Sequence, residues 1–198
     1  MSRQSVQQHP LEGWLTILLA ASLLLGGVAR AQSPGSHVFI VERGGVSLQE
    51  GVYLLEASID FQLSDAARRA LDSGVPLTFE LEIELERPRT WWLDTAIASL
   101  TQRYRLRYHA LSERYVLTNL NSGESRSFVG ERAALRALGE VRDLPLIDRH
   151  LLEPATTYEV WLRAQLDIDE LPAPLKTVAY MSPEWRLVSE WKVWRFEA

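Results

Sequence analysis

The chain's most concentrated binding chemistry is Arg89-Thr90-Trp91-Trp92, directly after Pro88 at the end of a long alternating run. Adjacent residues on an extended chain face opposite ways, so one tryptophan is expected in the core and the other outside. An outward indole near Arg87, Arg89 and Tyr104 could stack on a sugar ring or anchor a partner protein. The purely structural alternative is an indole that covers the end of a sheet or stacks on an arginine. Arg89, Trp91, Trp92 and Tyr104 are therefore the candidate binding surface.

Other clusters fit known chemistries less well. Glu80, Glu82, Glu84 and Glu86 lie in one row, but calcium needs six to eight oxygens converging on a point. Asp167, Asp169 and Glu170 offer the paired carboxylates that glycoside hydrolysis uses, yet their spacing is that of an acidic strand end leading into Pro172. Ser112 is too close in sequence to His109 and Glu113 for a triad, whose members come from separate elements. The chain has no cysteine, which removes thiol catalysis, iron–sulfur clusters and cysteine zinc sites. No phosphate loop, nucleophile elbow or zinc signature is present. The residues imply no cofactor, no metal and no catalytic constellation.

These groups must be carried by strands. VPLTFELEIELER (Val75–Arg87) places Leu77, Phe79, Leu81, Ile83 and Leu85 on one parity and Thr78, Glu80, Glu82, Glu84 and Glu86 on the other. That is a strand with one buried and one wet face. QRYRLRYHAL repeats the alternation, with Arg103, Arg105 and Arg107 opposite Tyr104, Leu106 and Tyr108. Antiparallel pairing of the two would set the glutamate and arginine rows side by side and help fix the register. Further strands are predicted at His37–Glu42, Gly51–Leu63, Arg114–Leu120, Glu124–Val129 and Tyr158–Ile168. A closing strand is expected in Trp185–Phe196, with Trp185, Leu187, Trp191 and Val193 on one side. Leu144–Ile147 reads as an edge piece because of Pro145. Arg43-Gly44-Gly45 reads as a turn, and Pro172 and Pro174 as loop.

Two short helices complete the pattern. Ser64 is the expected N-cap of the first, with Asp65 in its first turn and Gly74 at its end. The second spans Gly130–Gly139. Many alternating strands and only two helices predict a mainly β fold, an antiparallel β-sandwich of immunoglobulin-like architecture. The alternative is an α+β antiparallel sheet with helices on one face.

At the N-terminus, Trp14–Val28 is apolar and Ala29-Arg30-Ala31 is small-residue rich. This is the layout of a secretory signal over residues 1–31, cleaved after Ala31. An uncleaved membrane anchor is the alternative, because Arg3 is the one positive charge ahead of the apolar run. Residues 37–198 then form a single β-rich domain in the periplasm, touching the membrane only if the anchor persists. The net charge is −5, and the part after Ala31 is one unit more negative. An acidic domain without a basic tract is a poor nucleic-acid binder.

Four stretches in order carry a resemblance: YLLEASIDFQLSDAARRALDSGVPLTFELEIELERPRTWW, YRLRYHALSERYVLTN, LRAQLDIDELPAPL and EWRLVSEWKVW. Together they resemble an exported proteobacterial family known only as domain of unknown function 4390. The resemblance implies no activity and no catalytic residue. It does imply a neighbourhood, since genes of that family often lie beside a membrane sensor kinase. Two readings follow. One is a non-enzymatic envelope binding or adaptor domain, accessory to such a kinase. The other is a carbohydrate- or peptidoglycan-handling module using Trp91, Trp92 and the Asp167/Asp169 pair.

Overall fold

The computed structural model describes residues 39–88 and 95–198, and residues 36–198 form one compact unit. The predicted signal segment, His37, Arg89, Trp91 and Trp92 lie outside the described residues. Among the described residues no helix is long and apolar enough to cross a membrane.

The fold is mainly β, with two antiparallel sheets facing each other as a sandwich. The smaller sheet holds β1 (Ile40–Gln49), β2 (Val52–Asp60) and β7 (Glu140–Asp148), in the order β1-β2-β7. The larger holds β3 (Leu77–Arg87), β4 (Thr95–His109), β5 (Arg114–Asn119), β6 (Ser125–Phe128), β8 (Thr157–Asp167) and β9 (Lys192–Glu197). Its order is β6-β5-β4-β3-β8-β9, so β3 is central.

The alternation in β3 is what builds the core. Leu77, Phe79, Leu81, Ile83 and Leu85 are all buried, as are Tyr158, Val160, Leu162, Ala164 and Leu166 on β8 and Tyr53, Leu55, Ala57 and Ile59 on β2. Each fully buried leucine or phenylalanine contributes about 1.5–3 kcal/mol. Phe39, Phe61 and Phe79 join the two sheets in one aromatic cluster, with ring centroids 4.7–5.9 Å apart.

Helix α1 (Asp65–Asp72) starts as predicted. The buried Ser64 side chain accepts a hydrogen bond from the Ala67 N–H, and Gly74 has a positive φ beyond the C-terminus. Helix α2 (Glu131–Gly139) buries Ala134, Leu135 and Leu138, again as expected. A third helix, α3 (Ala173–Met181), occupies the segment expected to be loop. Pro172 and Pro174 fall at its N-cap and in its first turn, where the missing N–H groups would have had no helical partner. Proline there starts the helix instead of breaking it.

Two further expectations are corrected. Arg43-Gly44-Gly45 is not a turn; β1 runs through it, with a register shift between Val41 and Arg43. Gly44 is needed there because a Cβ would lie 2.6 Å from both the Glu56 carbonyl oxygen and the Trp194 ring. The second correction concerns the closing segment. Trp185 and Leu187 are buried, but Trp185 ends a 3-10 turn (Pro183–Trp185) and β9 begins only at Lys192. The irregular chain between them shifts the parity, so Trp194 and Phe196 pack on the core while Val193 faces out.

Candidate binding site

Of the candidate surface, the structure describes Tyr104 alone. Tyr104 pairs with Phe79 on one side and Asn119 on the other, on the inner face of the large sheet. β3 ends at Arg87, which pairs with Thr95 at the start of β4. Eight residues of strand separate Phe79 from Arg87, about 27 Å at the rise of an antiparallel strand. Tyr104 therefore sits far from the strand ends that flank Arg89, Trp91 and Trp92. At those ends Arg87 is tied to Glu153 at 2.7 Å, and the hydrogen bond to Glu153 raises its guanidinium pKa.

The outer face of the large sheet holds the charged rows, and they pair differently from the expectation of one row against the other. Because β3 is central, its glutamates meet neighbours on both sides. Glu80 lies opposite Arg103 on β4, 2.9 Å away, whereas Glu82 takes the Arg163 guanidinium from β8 at 2.8 Å. Gln165 donates to both glutamates. Arg103 Nε is close to Glu80 without hydrogen-bond alignment, so that contact is an ion pair by proximity. Arg103 also reaches Asp167 at 2.7 Å and Glu170 at 3.4 Å, and Arg105 reaches Glu170 at 3.2 Å. The hydrogen bond to Asp167, with Glu80 adding its field, raises the Arg103 pKa. Arg163 lies over Trp191 at 4.6 Å and Arg195 pairs with Glu159 at 2.6 Å.

Most charges of this face are held in ion pairs, and each exposed pair is worth about 0–1 kcal/mol. Asp167 is committed to Arg103 and to the Asp169 N–H. Asp169 accepts from the Tyr180 hydroxyl, which raises that phenol's pKa. Asp167 pairs with Thr78 at the end of β3 remote from Arg87. Asp167 is thus at the opposite end of the sheet from Arg87 and Thr95, the last residue of β3 and the first of β4. Ser112 Oγ lies 3.1 Å from His109 Nδ1 within a single turn. Among the described residues, no three histidines or carboxylates gather as metal ligands.

The site that sequence reasoning missed surrounds Tyr104 itself. The large sheet is wider than the small one, so β5 and β6 extend past the β7 edge, and α2 covers only part of the gap. A cleft of about 490 Å3 remains there. Leu117 and Val141 are buried at its floor and Leu144 is half-buried. Tyr104, Asn119, Arg126, Arg136 and Arg142 line it, together with Glu124 and Glu140. Burial raises the Tyr104 phenol above its ordinary pKa, so it stays protonated at any neutral pH. Arg126 stands opposite Leu117 on the inner face, 5.4 Å from the Phe128 ring centroid. The legible signal was the shared parity of Arg126 and Phe128, a guanidinium turned inward on a short strand.

Four residues beyond Tyr104 along β4, Tyr108 packs against Tyr115 in a tilted pair, with ring centroids 4.9 Å apart, and Tyr115 donates to Asp72 of α1 at 3.0 Å. Burial, with Asp72 second, pushes the Tyr115 phenol up to about 12. That contact ties α1 to the sheet without entering the cleft.

Neither the curated proteins nor the solved structures contain a match to this chain. Residues 37–195 match the model of the family described as Domain of unknown function (DUF4390), and the chain belongs to that family.

Proposed function

We propose that this protein is an exported, non-enzymatic binding or adaptor domain of the bacterial envelope, accessory to a membrane protein such as a sensor kinase. The observation that carries the reading is the cleft around Tyr104. It joins an apolar floor to a rim of guanidiniums on rigid strands and a helix, which is how binding sites combine burial with orientation. The outer face is consistent with the same reading, because Glu80, Glu82 and Asp167 are each engaged by an arginine. The apolar N-terminal segment Trp14–Val28 supports export.

The test is in-cell photo-crosslinking from two positions. A photoreactive residue replacing Glu124, on the cleft rim, is expected to give an adduct with one inner-membrane protein. The same residue replacing Arg107, on the outer face, is expected to give none. Equal adducts from both positions, or an adduct from Arg107 alone, would contradict the reading.

A further inference from the structure

The uncommitted side chains of the cleft are mostly hydrogen-bond donors. Asn119 Oδ1 already accepts from the Asn121 N–H at 2.8 Å and the Ser122 N–H at 3.1 Å, which leaves its Nδ2 group to donate. The Tyr104 hydroxyl has no hydrogen-bond partner among the described residues, and neither Arg126 nor Arg136 is in an ion pair there. Arg142 is matched by Glu140 at 3.3 Å. With Glu140 matched to Arg142, Glu124 is the acidic rim residue that remains against Arg126 and Arg136, neither of which is in an ion pair among the described residues. This local positive excess sits in a chain whose net charge is −5. Beneath the donors lie Leu117 and Val141, both buried.

We propose that this cleft binds a small amphipathic anion, a single carboxylate or phosphate head on an apolar body. Arg126 and Arg136 take the head, Tyr104 and Asn119 donate to it, and the apolar body lies on Leu117 and Val141. A carboxylate offers about four lone-pair sites and accepts a guanidinium in bidentate fashion, which matches the donors present. The cleft volume, about 490 Å3, falls in the range of roughly 300–1,000 Å3 typical of small-ligand sites. An inward charge on an edge strand also blocks unwanted strand pairing. That role accounts for Arg126 on β6 but not for Arg136, which comes from α2. The inference rests on the reading of the cleft as the functional site and adds the chemistry of what enters it.

Calorimetric titration of the full-length protein with octanoate, octyl phosphate and octanol tests it. The two anions are expected to bind at least about tenfold more tightly than octanol, as charge-assisted hydrogen bonds require. The double variant Arg126→Ala/Arg136→Ala removes that preference, and Tyr104→Phe weakens anion binding several-fold with an unchanged circular dichroism spectrum. Co-sedimentation with phosphatidylglycerol vesicles that the double variant abolishes would identify a lipid as the source. Anion binding without vesicle binding identifies a free amphiphile. Octanoate binding no tighter than octanol, or a preference that survives the double variant, overturns the proposal. A crosslink from position 124 without anion preference overturns it while leaving the adaptor reading intact; anion preference without a crosslink does the reverse.

Discussion

Gly139→Ala is expected to destabilise the domain by about 3 kcal/mol, at the upper end of what overpacking costs. Gly139 closes α2 and leads into β7, where Glu140 pairs with Ser58 of β2. A Cβ at Gly139 would lie 2.0 Å from the Ile59 carbonyl oxygen and 3.1 Å from its carbonyl carbon. Both are backbone atoms of the middle strand of the small sheet, so no side chain can swing aside. Either α2 moves away from β2 or the β2–β7 ladder opens. At about 2–4 °C per kcal/mol for a domain of this size, the melting temperature should fall by about 6–12 °C. Gly45→Ala is the matched control, because no atom lies within 4 Å of its Cβ position. A surface substitution of that kind stays within about 0.5 kcal/mol. Equal melting temperatures for the two variants would contradict the close approach of α2 and β2.

Phe79→Ala should be more damaging still, by about 3–5 kcal/mol. Phe79 is fully buried on the central strand, its ring 5.9 Å from Phe39 and 5.4 Å from Phe61. Those partners come from the chain ahead of β1 and the chain after β2, so the three rings hold the two sheets together. Truncation removes burial and leaves a cavity bounded by two aromatic rings. Neighbouring strands cannot collapse into it without breaking pairing on both sides of β3. Total stability of a domain is typically about 5–15 kcal/mol, so this one change can consume much of it. Denaturant unfolding is the measurement: the midpoint should drop with the slope preserved. Phe79→Leu, which keeps most of the volume, should lose about 1–2 kcal/mol. A Phe79→Ala variant as stable as the parent would mean the sheets are not joined through this cluster.

How much of this was legible depended on distance along the chain. β3 and β8 could be read because each strand's own alternation decides which face is buried, whatever lies beside it. Ser64 and Gly74 could be read because a cap is a contact over three or four residues. The helix at Ala173 could not, because prolines read locally as breakers, and only their position at the N-cap and in the first turn makes Pro172 and Pro174 starters. The pairing of the charged rows was half legible. Glu80 does face Arg103, but nothing local says that β8 adds to the other side of β3 and brings Arg163 to Glu82.

The cleft was hidden for the same reason. Tyr104, Asn119, Arg126, Arg136 and Arg142 come from five elements. Only the order of strands in the two sheets, with β5 and β6 overhanging β7, makes them neighbours. The sequence groups Tyr104 with Arg89, Trp91 and Trp92 as one candidate surface. The structure describes it on the inner face, lining a cleft with Asn119, Arg126 and Arg136.

The two settings are separated most directly by oxidative footprinting of aromatic side chains. The protein in its native membranes is compared with the purified protein. If the cleft is the functional site, Tyr104 is protected in the membranes, and the Arg126→Ala/Arg136→Ala variant loses that protection. Protection of Trp91 and Trp92 with Tyr104 labelled equally in both preparations would contradict it.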